Sequence, residues 1–220
     1  YSFLFPYCID VASHPVDECV NFELQNKVTR YYLPTTIHQA ICVENMDNKA
    51  VNTFVTGSPK LDLFLDENYI ANDVWKFQKK NKKRIIWAPH HSDGFSTKYY
   101  QFNAFFQIYD FMFEMAEKYK DDVQFAFKPH PMLKHKLEQK WGVEAANRYY
   151  SKWKNLENGQ LELGEFKDLF IGSDAMILDS LSFISEYTIL DKPAFFTIGE
   201  TSRVNLNLYG SENFKVLYKT

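Results

Sequence analysis

Several things are scarce in this chain of 220 residues, and each scarcity excludes something. No run of about 18 apolar residues occurs, so no stretch reads as a bilayer-spanning helix. The net charge is only −3, which gives no global field toward nucleic acid. There are three cysteines, Cys8, Cys19 and Cys42, an odd number without metal-ligand spacing and all in the N-terminal fifth. That argues against a disulfide framework and a zinc site, and for a reduced cytoplasmic setting. Glycine numbers only 8, with none before Gly57. The opening YSFLFPY has neither an initiator Met nor the basic start of a signal peptide, and the expectation is a partial chain. What is abundant is apolar material: 45% of residues are hydrophobic and 17% aromatic, enough for one good core and part of a second.

The stretch from Gly172 to Phe196 reads as strand, turn, helix and strand. Ala175 to Leu178 is a short apolar run that fits a buried strand of a parallel sheet. Asp179 and Ser180 end it. Ser182 stands where an N-cap or first-turn residue belongs, ahead of a helix to about Leu190, and Lys192-Pro193 stops that helix before a strand from Ala194 to Ile198. The order implies a right-handed crossover. Unpaired amides and serine hydroxyls at the start of such a helix suit a phosphate, and Glu186, four residues after Ser182 on the same face, suits ribose hydroxyls. Ordinary capping and a surface glutamate account for the same residues.

Two further strand ends carry chemistry. Arg84 to Ala88 is β-prone and delivers Pro89, His90, His91 and Ser92 at its C-terminal end, where ligands of open α/β sheets bind. Phosphate contact through the two imidazoles ranks first, a capped loop second, and a metal third because no further ligand stands at a recognised spacing. Val123 to Phe127 leads to Lys128-Pro129-His130-Pro131, in which two prolines hold the His130 imidazole at a fixed angle beside the Lys128 charge. Neutral or protonated, that imidazole can donate a hydrogen bond or supply a proton.

The remaining elements frame these. A strand from Ala50 to Thr56 turns at Gly57-Ser58-Pro59 into a helix from Lys60 to Leu65, a natural domain junction. Lys79, Lys80, Lys82, Lys83 and Arg84 form a basic cluster, a solvated turn or a contact with an anionic membrane surface. Tyr99 to Tyr119 carries Phe102, Phe105, Phe106, Tyr109, Met112, Phe113 and Ala116 on one stripe of a helix. Met132 to Leu156 reads as two helices broken near Gly142. In the first 52 residues, Tyr1 to Ile9 suits a strand, and Phe22 to Tyr32 and Thr36 to Met46 suit helix or loop.

Four segments in one order carry a family resemblance: VTGSPKLD (Val55 to Asp62), IIWAPHHS (Ile85 to Ser92), FKPHP (Phe127 to Pro131) and DSLSFISEY (Asp179 to Tyr187). Together they resemble the CDP-glycerol glycerophosphotransferases, the teichoic-acid and capsule polymerases, and more distantly the UDP-N-acetylglucosamine 2-epimerases. Leu181 stands where that family has Ser or Gly, so its side chain must turn away from the phosphates. The resemblance implies a doubly wound parallel α/β sheet, the Rossmann-like donor-binding half of a GT-B fold. Residues 57–220 would form that half, and residues 1–56 a remnant of the acceptor side with the junction.

It also implies transfer of a glycerol-phosphate or similar unit from a CDP-activated donor to a polymer or lipid-linked acceptor, at the inner face of the plasma membrane, with no cofactor and no metal. His90, His91 and Lys128 would contact phosphates, and His130 would assist departure of the nucleotide. Asp179, Ser180 and Ser182 would hold the turn and pyrophosphate, and Glu186 the ribose. The family's general base has no counterpart in place; His14 and His38 are the nearest alternatives. A UDP-sugar transferase or epimerase, or a nucleotide-binding domain without catalysis, would share the fold.

Overall fold

A computed structural model describes residues 1–6, 20–92, 104–181 and 183–199. The contacts divide it into two compact units between Asp66 and Glu67, ten residues after the junction expected at Thr56.

In the first unit a parallel sheet of order β1-β2-β3 is formed by β1 (Phe3–Leu4), β2 (Arg30–Leu33) and β3 (Thr53–Val55). Helices α1 (Glu23–Lys27) and α2 (Thr36–Asn45) lie between the strands in sequence, and α3 (Pro59–Leu65) follows β3. The segment from Phe22 to Tyr32, expected as helix or loop, is therefore a short helix and then a strand. Tyr31 and Leu33 bury their side chains with Val28, Ile41 and Met46, and this long-range packing overrides a weak local pattern. Gly57 takes φ 83°, the left-handed conformation that its turn requires, and Pro59 opens α3.

The second unit is built on a five-stranded parallel sheet of order β6-β5-β4-β7-β8. Its strands are β4 (Lys83–Ala88), β5 (Val123–Phe127), β6 (Gly159–Leu161), β7 (Ala175–Leu178) and β8 (Ala194–Phe196). The chain runs outward from β4 through β5 to β6, returns to the other side of β4 as β7, and continues to β8. With right-handed crossovers this reversal puts helices on both faces of the sheet, the doubly wound arrangement expected from sequence. The connecting helices are α4 (Phe105–Lys118), α5 (Leu133–Trp141), α6 (Val143–Asn155), α7 (Lys167–Ile171) and α8 (Ile184–Thr188). Gly142, at φ 86°, separates α5 from α6.

The described part of the stripe on α4 packs as its spacing predicts: Phe105, Met112 and Ala116 are buried, with Phe106, Tyr109 and Phe113 around them. They meet a core of Trp87, Phe127, Tyr149 and Trp153, in which Trp87 lies 5.1 Å from Phe127 and 5.4 Å from Trp153 between ring centroids. Trp87 and Phe127 are the last or next-to-last residues of their strands. The rigid core therefore ends directly beneath the strand tips that carry the histidines.

The basic cluster lies at the opposite, N-terminal end of β4. Lys83 Nζ pairs with Asp174 at 2.9 Å, Arg84 pairs with Asp73 at 2.9 Å, and Lys82 donates to Gln78 at 2.8 Å. Two of the five cations are thus paired with carboxylates, which reduces the charge that the cluster presents to a surface.

Candidate functional site

All five strands of the second sheet run parallel, so their C-terminal tips share one edge. The strand order reverses between β4 and β7, which opens the crevice where ligands of such sheets sit. Three tips meet there and are stitched together by the backbone. His130 N–H donates to the Pro89 carbonyl at 2.9 Å, joining the tip of β5 to that of β4. His90 N–H donates to Asp179 Oδ1 at 2.6 Å, joining β4 to β7.

The result is a cluster of three imidazoles. His91 lies 4.1 Å from His90 and 4.2 Å from His130, and His90 lies 4.9 Å from His130, between ring centroids. Burial, then repulsion from His91 and His130, lowers the His90 pKa to about 3; burial, then His91, lowers that of His130 to about 4. Both rings are neutral at physiological pH.

Their ring nitrogens, within 4.8 Å of one another, are close enough to chelate a cation. The fold thus supplies the third imidazole that sequence spacing does not show. The hydrogen bonds, however, do not fit a metal. Nδ1 of His130 accepts the Met132 N–H at 3.1 Å, and Nδ1 of His90 accepts the Ser92 N–H at 3.2 Å with Ser92 Oγ 2.9 Å away. An accepting Nδ1 leaves the proton on Nε2, which makes Nε2 a donor. A metal-ligating imidazole has the reverse arrangement, its second nitrogen donating to a carbonyl or carboxylate. The His90 and His130 donor pair suits an anion.

The other predicted site residues fall in varied places. Asp179 is buried, and its two oxygens accept backbone N–H groups, Oδ1 from His90 and Oδ2 from Phe105 at 3.3 Å. Burial raises its pKa to about 6 against the lowering effect of those amides. It holds the turn, with both oxygens engaged by backbone amides. Ser180 is buried at the tip of β7, and Ser182 lies outside the described residues.

The helix expected from Ser182 to Leu190 is the five-residue α8, with Phe183 as N-cap and no side-chain cap. So short a helix aligns few peptide dipoles, and the anion-binding argument from its N-terminus loses most of its force. Leu181 is buried at 9% exposure, turned into the protein as its size demands.

Lys128 is buried, and its Nζ donates to the Gly164 carbonyl at 2.6 Å. Burial lowers its pKa, partly opposed by Glu162 and Glu165. The contact with Gly164 anchors the loop after β6. Glu186 is 1% exposed rather than on the surface, and its Oε2 accepts the Ser185 hydroxyl at 2.8 Å. His38 Nδ1 lies 2.7 Å from the hydroxyl of Thr35, the N-cap of α2. His14 lies outside the described residues.

The sequence marks Ser92 only as part of the turn after β4 and gives no sign of the Met132 amide contact, although a serine two residues after a histidine is a recurrent local hydrogen-bonding pattern. The Lys128–Gly164 contact has no local signal at all.

A parallel, doubly wound sheet with anion-facing imidazoles at its switch point defines a nucleotide-binding α/β domain. The chain belongs to the CDP-Glycerol:Poly(glycerophosphate) glycerophosphotransferase family, whose model it matches over residues 13–203. It is similar to the teichoic acid ribitol-phosphate polymerase TarL of Staphylococcus aureus, 27% identical over 176 residues, covering 76% of this chain and 28% of that protein. It is also similar to the teichoic acid poly(ribitol-phosphate) polymerase of Bacillus spizizenii, at 26% identity, covering 66% of this chain and 22% of that protein. The chain therefore spans about a quarter of the length of the curated relatives it matches. Among solved structures, the UDP-GlcNAc 2-epimerase of Neisseria meningitidis bound to UDP-GlcNAc shares the fold, with a TM-score of 0.52 at 18% identity over 86% of this chain and 53% of that one.

Proposed function

We propose that residues 67–199 bind the diphosphate of a CDP-activated polyol such as CDP-glycerol. We further propose that the protein moves the polyol-phosphate unit onto a growing cell-surface polymer. The observation that carries the reading is the meeting of His90, His91 and His130 at the tips of β4 and β5 beside β7. Family membership supports the choice of donor and reaction.

In this reading an acceptor hydroxyl attacks the phosphorus next to the polyol, and the nucleoside monophosphate leaves from the opposite side. Such transfer depends on positioning and on stabilising charge as it develops on the leaving phosphate. His90 and His130 supply N–H donors for that charge, Ser180 a hydroxyl at the neighbouring tip, and Asp179 the frame that keeps the tips together. Glu186 is the proposed ribose acceptor and needs α8 to shift to reach it; the general base comes from the acceptor side. Contact with an anionic membrane surface through Lys79 and Lys80 would bring the site to a lipid-linked acceptor.

Calorimetry with CDP-glycerol, CMP and UDP-N-acetylglucosamine tests the assignment. The expected result is binding of CDP-glycerol that His130→Ala weakens and Glu186→Gln weakens further. A preference for the UDP-sugar would move the protein to the epimerase-like donor class that its fold also resembles.

A further inference from the structure

The hydrogen bonds around the imidazoles constrain how the diphosphate is held. At both His90 and His130 the Nδ1 lone pair is occupied by a backbone N–H, from Ser92 and Met132 respectively. At His130 a second proton on Nδ1 would displace the Met132 amide, whereas at His90 the Ser92 hydroxyl, 2.9 Å away, shares Nδ1 with the amide. Lys128, just past the end of β5, donates to the Gly164 carbonyl. The other titratable groups near the cluster are His91 between the two rings, Asp179 beneath the β4 turn, and Glu162 and Glu165 around Lys128.

We propose that this site takes a nucleoside diphosphate onto uncharged donors: His90 and His130 each present Nε2–H to phosphate oxygens and remain singly protonated through binding and transfer. The lowered pKa values of both rings agree with this. His130 then acts as a neutral electrophile, stabilising the leaving phosphate by hydrogen bonding without surrendering a proton. In the step itself the acceptor oxygen forms the new P–O bond. The P–O bond to the nucleotide breaks, its electron pair leaves with the nucleoside monophosphate, and the hydroxyl proton passes to water or to a base at the acceptor. Neither imidazole changes its proton count. A site of neutral donors is also little weakened by salt, unlike one built from lysines.

The inference rests on the proposed donor site, and the test separates the two. Imidazole nitrogen spectra of the ¹⁵N-labelled full chain are recorded from pH 5.5 to 8, without and with CDP-glycerol, whose two phosphates do not titrate in that range. His90→Gln and His130→Gln assign the rings. Calorimetry in two buffers of different ionisation enthalpy counts protons taken up on binding. The expected result is the Nε2–H pattern at both rings, unchanged by ligand, and no net proton uptake. His130→Gln, which keeps a neutral N–H donor, retains affinity within a few-fold, whereas His130→Ala loses on the order of tenfold, the equivalent of one hydrogen bond to a charged group. A doubly protonated His90 or His130 in the complex, uptake approaching one proton, or equal losses for Gln and Ala would overturn the proposal while leaving the donor site standing. Failure of CDP-glycerol to bind at millimolar concentration would overturn the donor site itself, and with it the ligand half of this proposal.

Discussion

His90 and Asp179 are joined by a 2.6 Å hydrogen bond from the His90 backbone N–H to the Asp179 carboxylate, across 89 residues of sequence. The same carboxylate accepts the first amide of α4 through its other oxygen. One buried side chain at the end of β7 thus fixes both the turn that carries two of the three imidazoles and the start of the helix that packs beneath them.

Asp179→Asn keeps the shape but offers only one acceptor, and its amide N–H₂ faces a backbone N–H. We expect a loss of about 1–3 kcal/mol in unfolding free energy at neutral pH, as one buried backbone amide goes without a partner. Urea titration checks this, and weakened CDP-glycerol binding should accompany it, since His90 is no longer held.

Acidification sets two effects of opposite sign against each other. His90 and His130 have folded pKa values lowered from 6.5 to about 3 and about 4, so their contribution is full above 6.5 and is lost as pH falls toward those values. Asp179 has a folded pKa raised from 3.8 to about 6, so its contribution is full below 3.8 and is lost as pH rises through 6. Two groups oppose one between pH 6.5 and 4, and the melting temperature should fall from pH 7 to 5. His90→Gln should flatten that fall and Asp179→Asn should steepen it; a melting temperature that rises on acidification contradicts the assignment.

Trp153 is fully buried on α6, 5.2 Å from Phe127 and 5.3 Å from Phe113 between ring centroids. Trp153→Ala leaves a large cavity under the strand tips and should cost about 3–5 kcal/mol, measured by denaturant unfolding. If the variant is as stable as the parent, this core is not the one described.

Lys192 ties the end of α7 to the entry of β7 by donating to three carbonyls, the closest being Ile171 at 2.6 Å. Lys192→Ala should destabilise by about 1–3 kcal/mol, with faster hydrogen exchange concentrated between residues 170 and 178. Uniform acceleration across the unit would show that the contact is not local.

Much of this architecture can be read residue by residue. Val123–Phe127 and Ala175–Leu178 are strands over the bounds their apolar runs suggest, because a strand buried in a parallel sheet has little polar interruption. The aromatic stripe of α4 follows from helical periodicity alone. Less legible is the strap from Tyr69 to Gln78. Trp75 is buried there, and Lys76 is held by Gln160 and Gln124, contacts across roughly 50 to 85 residues with no local pattern. The basic cluster is only partly legible for a related reason: charge density along a sequence is visible, whereas the carboxylates of Asp73 and Asp174 that neutralise part of it come from elsewhere in the chain.

The identity of the chemical groups was written locally. Histidines follow β-prone runs, prolines fix their backbone, and an aspartate and serines end the next apolar run, since side-chain type and strand-end position depend on neighbours in the chain. Their use was settled in three dimensions. Strand order brought three imidazoles within reach of one another, burial lowered the pKa values of His90 and His130, and the Ser92 and Met132 amides were brought against their Nδ1 atoms. Protonation and hydrogen-bond direction depend on what surrounds a group in space, and that surrounding exists only once the sheet has formed.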